Sequence, residues 1–145
     1  MMSKILLIGG VGAGKTTLKQ SLLQEELRYR KTQMLDFSSL FVDCPGEYLE
    51  IPQYYHVLID TSRRVSEIWA LQDATKKRTL FPPHFAKVFN KPIIGIITKV
   101  DLDQADEAQA AHYLKYAGIE APYYVTSVIQ EKGIDALRKR LEYVR

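Results

Sequence analysis

Apolar residues fall along this chain in two alternating patterns. Short unbroken runs, such as Ile5-Leu6-Leu7-Ile8 and Ile93-Ile94-Gly95-Ile96-Ile97, predict strands buried on both faces. Between such runs, apolar positions recur three and four residues apart. Leu18, Leu22 and Leu23 fall on one helical face, as do Ile134, Leu137, Leu141 and Val144. Read in order, the pattern predicts strands at 4–8, 34–37, 40–43, 65–71, 93–98 and 123–127. It predicts helices at about 15–27, 54–61, 82–89, 103–117 and 134–143. Strands 34–37 and 40–43 stand too close for a parallel crossover, so an antiparallel hairpin is expected there. The rest predicts an α/β fold in one domain over 1–145, with a mostly parallel six-stranded sheet, one antiparallel edge strand and helices on both faces.

The first junction carries chemistry. After the apolar run comes Gly9-x-x-x-x-Gly14-Lys15-Thr16, which fits the phosphate-loop pattern G-x-x-x-x-G-K-[ST]. Strand, loop and helix stand in the order that pattern needs. Glycines let backbone amides close around a polyphosphate, and the following helix presents its positive end to the same anion. The expected cradle is Gly9, Gly10, Val11, Gly12, Ala13, Gly14, Lys15, Thr16 and Thr17. Lys15 would reach the β- and γ-phosphates, and the Thr16 hydroxyl would meet Mg²⁺, a cation that prefers oxygen ligands. The fold expected is therefore a three-layer P-loop nucleotide-binding sandwich.

Two more stretches narrow the nucleotide. In FVDCPGEY, Asp43 ends a strand where a carboxylate can hold the Mg²⁺ shell, and Gly46 can offer an amide to a γ-phosphate. The plainer reading of Pro45-Gly46 is a turn after an edge strand. In IIGIITKVDL a buried strand ends in Thr98-Lys99-Val100-Asp101. The Asp101 carboxylate can accept two hydrogen bonds from guanine, and adenine offers no such pair. The stem of Lys99 can lie along the base. The plainer reading makes Asp101 or Asp103 a helix cap; its place after two phosphate motifs favours the base.

Composition changes this picture little. Hydrophobic residues make 46% and charged residues 26% of 145, with a formal net charge of +3. That balance does not call for a nucleic-acid partner. The apolar runs are strand-sized, so no membrane span is expected. The phosphate loop starts too early for a signal peptide, and the single Cys44 suits a reducing cytoplasm.

The ordered set GGVGAGKT, DCPG and TKVD resembles a Ras-like GTPase domain across essentially the whole chain. More finely, GAGKTTL, RKTQ at 30–33, and DCPGEY followed by PQYYHVLI resemble the EutP/PduV family of ethanolamine and propanediol utilisation. The resemblance implies a nucleotide-binding protein of bacterial microcompartment metabolism, with GTP or GDP and Mg²⁺ as cofactors and a shell or enzyme partner. Acetate kinase activity is also ascribed to that family, which makes ATP the alternative nucleotide. Thr32 is the candidate first-switch residue on the Mg²⁺ shell, the plainer reading being a loop threonine that begins a strand. Arg28, Arg30 and Lys31 nearby could help neutralise phosphate, though such a run is more often a solvated loop face.

The chain departs from the Ras-like pattern at three places. Thr98 replaces a common asparagine and is expected to lose an amide that ties the base loop to the phosphate loop. The fifth motif is reduced to Thr126-Ser127-Val128, where the Ser127 amide is expected to meet the guanine oxygen. Glu47 stands where a water-orienting glutamine is usual; an ionised glutamate only accepts hydrogen bonds, so hydrolysis should be slow. Glu47 with a raised pKa is instead a candidate base. Three functions compete: a GTP-dependent switch, a phosphotransferase from ATP to a small carboxylate, and an RNA-linked assembly GTPase. Asp101 favours the first, Glu47 the second, and the near-balanced charge disfavours the third.

Overall fold

The computed structural model describes residues 4–30 and 39–144, with the side chains of 28–30 and 47 outside that description. Among the described residues, five strands form one sheet: β1 (Ile5–Gly9), β2 (Phe41–Asp43), β3 (Glu67–Asp73), β4 (Ile93–Thr98) and β5 (Tyr124–Val125). Their order is β2-β1-β3-β4-β5, and every pairing is parallel. The expected strand at 34–37, and with it the sixth strand and the antiparallel hairpin, lies outside the described residues. Strand 40–43 pairs in parallel with β1, setting Leu7 beside Asp43.

The helices are α1 (Lys15–Arg30), α2 (Glu47–Glu50), α3 (Tyr55–Ser62), α4 (Glu107–Tyr116) and α5 (Ile134–Val144). The alternation of β-strand side chains sends β1 residues to two separate cores. Ile5 and Leu7 join Leu18 and Leu22 of α1 and Leu137 and Leu141 of α5. Leu6 and Ile8 join Leu58 of α3, Leu114 of α4 and Phe85 on the other face. Both faces of the sheet are thus covered, as a parallel sheet of buried apolar strands requires.

Among the described residues, the carboxylates Glu26, Glu67 and Asp73 are buried. Glu67, at the start of β3, is buried and accepts a hydrogen bond from the Trp69 indole at 2.8 Å. Arg140 of α5 closes a two-point ion pair on the same carboxylate. A buried carboxylate needs such partners, and the pair fastens α5 across the sheet.

The helix expected at 103–117 runs only from Glu107 to Tyr116, the strand expected at 123–127 is Tyr124–Val125, and two further elements differ with a physical reason. β3 runs on to Asp73 rather than ending at residue 71, because Gln72 and Asp73 find polar partners while buried. The helix expected at 82–89 is only a 3₁₀ turn at Phe85–Val88. Pro83 disfavours the helical region at Pro82 before it, and His84 takes a left-handed φ of 59°, which stops an α-helix at its start.

Candidate functional site

The site stands where the strands of the sheet end. β1 finishes at Gly9 and α1 starts at Lys15, so residues 10–14 make the whole turn. The Ala13 amide donates to the Gly10 carbonyl at 3.1 Å, and the Leu18 amide to Gly14 at 2.9 Å. Gly12 and Gly14 have φ of 79° and 101°, a region that side chains rarely adopt. The Lys15 ammonium folds back and donates to the Gly9 carbonyl at 2.8 Å, which holds its charge over the loop. Gly46 is pressed against this turn: a Cβ on it would lie 2.4 Å from the Val11 nitrogen. Residues 10–17, Gly46 and Lys99 line an open groove of about 440 Å³.

A second space of about 210 Å³ opens beside it and shares Gly14, Thr17 and Lys99 with the groove. Its walls include Thr98, Asp101, Leu102, Val128 and Ile129. The chain reaches it from the ends of β4 and β5, and side chains fix the loops there. Thr98 Oγ1 donates to the Ala13 carbonyl at 2.8 Å. Lys99, at φ 61°, donates through Nζ to the Gly12 carbonyl at 2.6 Å and pairs with Asp73 at 3.0 Å. Ser127 Oγ donates to Asp101 Oδ1 at 2.8 Å and accepts from the Gln130 amide at 3.1 Å.

Two expectations are corrected. Thr98 does not cost the base loop its tie to the phosphate loop, because its hydroxyl makes that tie. The Ser127 amide is not free for a ligand, because it donates to the Lys132 carbonyl at 3.0 Å. It is the Ser127 hydroxyl, not its amide, that meets Asp101.

The other predicted residues are placed as follows. Gly10, Val11, Gly12, Ala13, Gly14, Lys15, Thr16, Thr17, Gly46 and Lys99 come together in the groove, with Gly9 at its start. Thr98 and Asp101 come together in the adjoining space. Asp43 ends β2 and lies 3.7 Å from Lys19 Nζ. Thr32 and the side chain of Glu47 lie outside the described residues; Glu47 is placed only as the first residue of α2. The Asp43 carboxylate and the exposed Thr16 hydroxyl are oxygen donors of the kind Mg²⁺ takes; Thr16 lines the groove, and Asp43 does not.

Sequence reasoning missed Asp73. It ends β3, one strand over from Thr98 in register, and holds Lys99. Burial opposes its charge, but hydrogen bonds from the Thr75 hydroxyl and amide and the Lys99 ammonium prevail and hold its carboxyl below the usual range. Its signal was a carboxylate closing an apolar run, the same signal that marked Asp101. Burial, with Asp43 beside it, pushes the Cys44 thiol up despite Lys15, so it stays a protonated apolar filler.

The chain matches the PduV-EutP family model, described as ethanolamine utilisation - propanediol utilisation, over residues 2–143. It is 34% identical over 137 residues to the propanediol utilization protein PduV of Citrobacter freundii, covering 94% of this chain and 91% of that protein. It is 34% identical over 125 residues to the probable acetate kinase EutP of Escherichia coli (strain K12), covering 85% and 79%. The probable acetate kinase EutP of Salmonella typhimurium is 35% identical over the same length and shares.

Proposed function

This chain belongs to the PduV-EutP family of ethanolamine and propanediol utilisation, and from that premise we propose that it is a one-domain Mg²⁺-dependent nucleotide-binding protein that prefers guanine. One observation carries the reading: the phosphate-type groove and the space holding Asp101 are joined through Gly14, Thr17 and Lys99. A triphosphate in the groove would take hydrogen bonds from the loop amides and charge from Lys15. A guanine in the adjoining space would give two hydrogen bonds to Asp101, which Ser127 holds in orientation. Thr16 and Asp43, with Thr32, would hold Mg²⁺, which when bound screens the phosphate charge.

The protein then acts as a slow GTPase switch in the cytoplasm, read by a microcompartment shell or enzyme partner. A second reading is phosphotransfer to a small carboxylate. It is favoured by the name of the EutP relatives, probable acetate kinase, and by a further small cavity beside the loop. Calorimetry with Mg-GTP and Mg-ATP tests the first reading. GTP should bind the more tightly; equal affinities would remove the guanine assignment and leave ATP as the donor.

A further inference from the structure

On the phosphotransfer reading, on which this inference rests, the chain needs somewhere to hold an acceptor. We infer that the cavity between the phosphate loop and the segment after β3 takes a short-chain aliphatic carboxylate, with Lys76 and Arg78 on the charged head and Leu80 and Phe81 on the alkyl tail.

Position is the first argument. This cavity shares Gly10, Val11 and Ala13 with the phosphate groove, so a ligand in it lies beside whatever the groove holds. Val11, 66% exposed, belongs to both walls. Leu80 presses on the same turn: a Cβ on Gly10 would lie 2.7 Å from its Cδ1.

Size is the second. The cavity measures about 160 Å³, room for about five waters at ~30 Å³ each. That admits a carboxylate of a few carbons.

Charge and shape are the third. Among the described residues, neither Lys76 nor Arg78 has a carboxylate within ion-pair distance. Of the two carboxylates on the wall, Asp73 is already held by Lys99 and Thr75, which leaves Glu50 against two cations. An arginine fork suits a carboxylate. Gln72 cannot serve the ligand, because its amide is spent inside the wall. It donates to the Asp73 and Arg78 carbonyls at 3.3 Å each and accepts from Thr79 at 2.9 Å. Those bonds pin the backbone that carries Arg78. The apolar wall distinguishes an alkyl carboxylate from inorganic phosphate, which has no use for it.

In the transfer, a carboxylate oxygen would attack the terminal phosphorus. The bond from that phosphorus to the bridging oxygen breaks, and the nucleoside diphosphate leaves with the electron pair. The product is an acyl phosphate; charge is conserved and no proton moves. The two cations reduce the repulsion between an anionic acceptor and an anionic donor.

The test uses the full chain with Mg-GDP or Mg-ADP bound, titrated with propionate and followed by amide shifts. Saturable shifts at Val11, Gln72 and Leu80 are expected, and none with propionamide, which has the size without the charge. In Lys76→Ala/Arg78→Ala, propionate affinity should fall at least tenfold. A parallel assay mixes triphosphate and propionate and traps acyl phosphate with hydroxylamine. Equal propionate affinity in the double variant, or shifts that never saturate, overturns the cavity as its site. Saturable binding with no hydroxamate from either nucleotide overturns the acceptor role and the phosphotransfer reading together. Hydroxamate formed equally fast by the double variant overturns this cavity and leaves phosphotransfer standing.

Discussion

Thr98 Oγ1 donates to the backbone carbonyl of Ala13 at 2.8 Å, joining the end of β4 to the turn between β1 and α1. Both residues are buried, and with the Lys99 Nζ bond to the Gly12 carbonyl this tie holds the groove against the space beside Asp101. Thr98→Val keeps the shape and removes the donor, leaving the Ala13 carbonyl without its partner. A loss of about 1–3 kcal/mol in unfolding free energy is expected, read as a lower urea midpoint at unchanged slope. Nucleotide affinity should fall with it. An unchanged midpoint would mean the tie contributes nothing.

Lys15→Ala should abolish nucleotide binding in a chain that still folds. The ammonium rests on the Gly9 carbonyl, a contact the fold can lose at little cost because water replaces it. The phosphates cannot replace their charged donor so easily. Calorimetry beside circular dichroism separates the two effects. A folded variant with wild-type affinity would remove the phosphate-loop reading.

Asp101→Asn should move the preference from guanine toward xanthine. Xanthine has a 2-oxo group where guanine has its amine, so the side chain must donate where it now accepts. Ser127→Ala should weaken the guanine preference in the same assay without reversing it, because it frees the carboxylate to rotate. A competition series with GTP, XTP and ATP reads both. An unaltered order in Asp101→Asn would place the base elsewhere.

Much of this site was legible because its chemistry is local in sequence. A strand, four glycines and Lys15-Thr16 specify their own turn. Thr98 to Asp101 likewise follow directly on a buried run. What was not legible depends on partners far along the chain. That the Ser127 amide is committed follows only from its antiparallel bridge with Lys132. That Asp73 ends a buried strand follows from Lys99, a residue of the next strand's loop. The 82–89 segment has helical spacing of apolar residues, and Phe81, Phe85 and Phe89 do bury together. Pro83 disfavours the helical region at Pro82, and His84 is left-handed, so the backbone breaks where a helix would start, a limit that apolar periodicity does not register.

The Asp73–Lys99 pair should give stability a specific acid limb. The folded carboxyl lies below its ordinary value of about 3.9, so the unfolded chain binds the proton first as pH falls. The stabilisation is complete above that ordinary value and disappears as pH drops through the lower, folded pKa. The difference in unfolding free energy between wild type and Asp73→Asn should therefore be constant from neutral pH to about 5. Below about 4 it should shrink. A difference that grows on acidification would contradict the direction of the shift.

The last prediction concerns rate and Glu47, the first residue of α2. It follows Gly46, where a Cβ would strike the Val11 nitrogen at the edge of the groove. A carboxylate near a terminal phosphate adds negative charge where the transition state already spreads it. It also cannot donate a hydrogen bond to an attacking water. Glu47→Gln removes the charge and restores a donor, so hydrolysis of bound GTP should quicken. A gain of about 1.4 kcal/mol reads as about tenfold. Single-turnover hydrolysis with saturating Mg²⁺, followed in both proteins, measures it. If the glutamine variant is instead much slower, Glu47 works as a base or positions a second substrate. Propionate should then be added to the wild-type reaction, with hydroxamate as the product to measure.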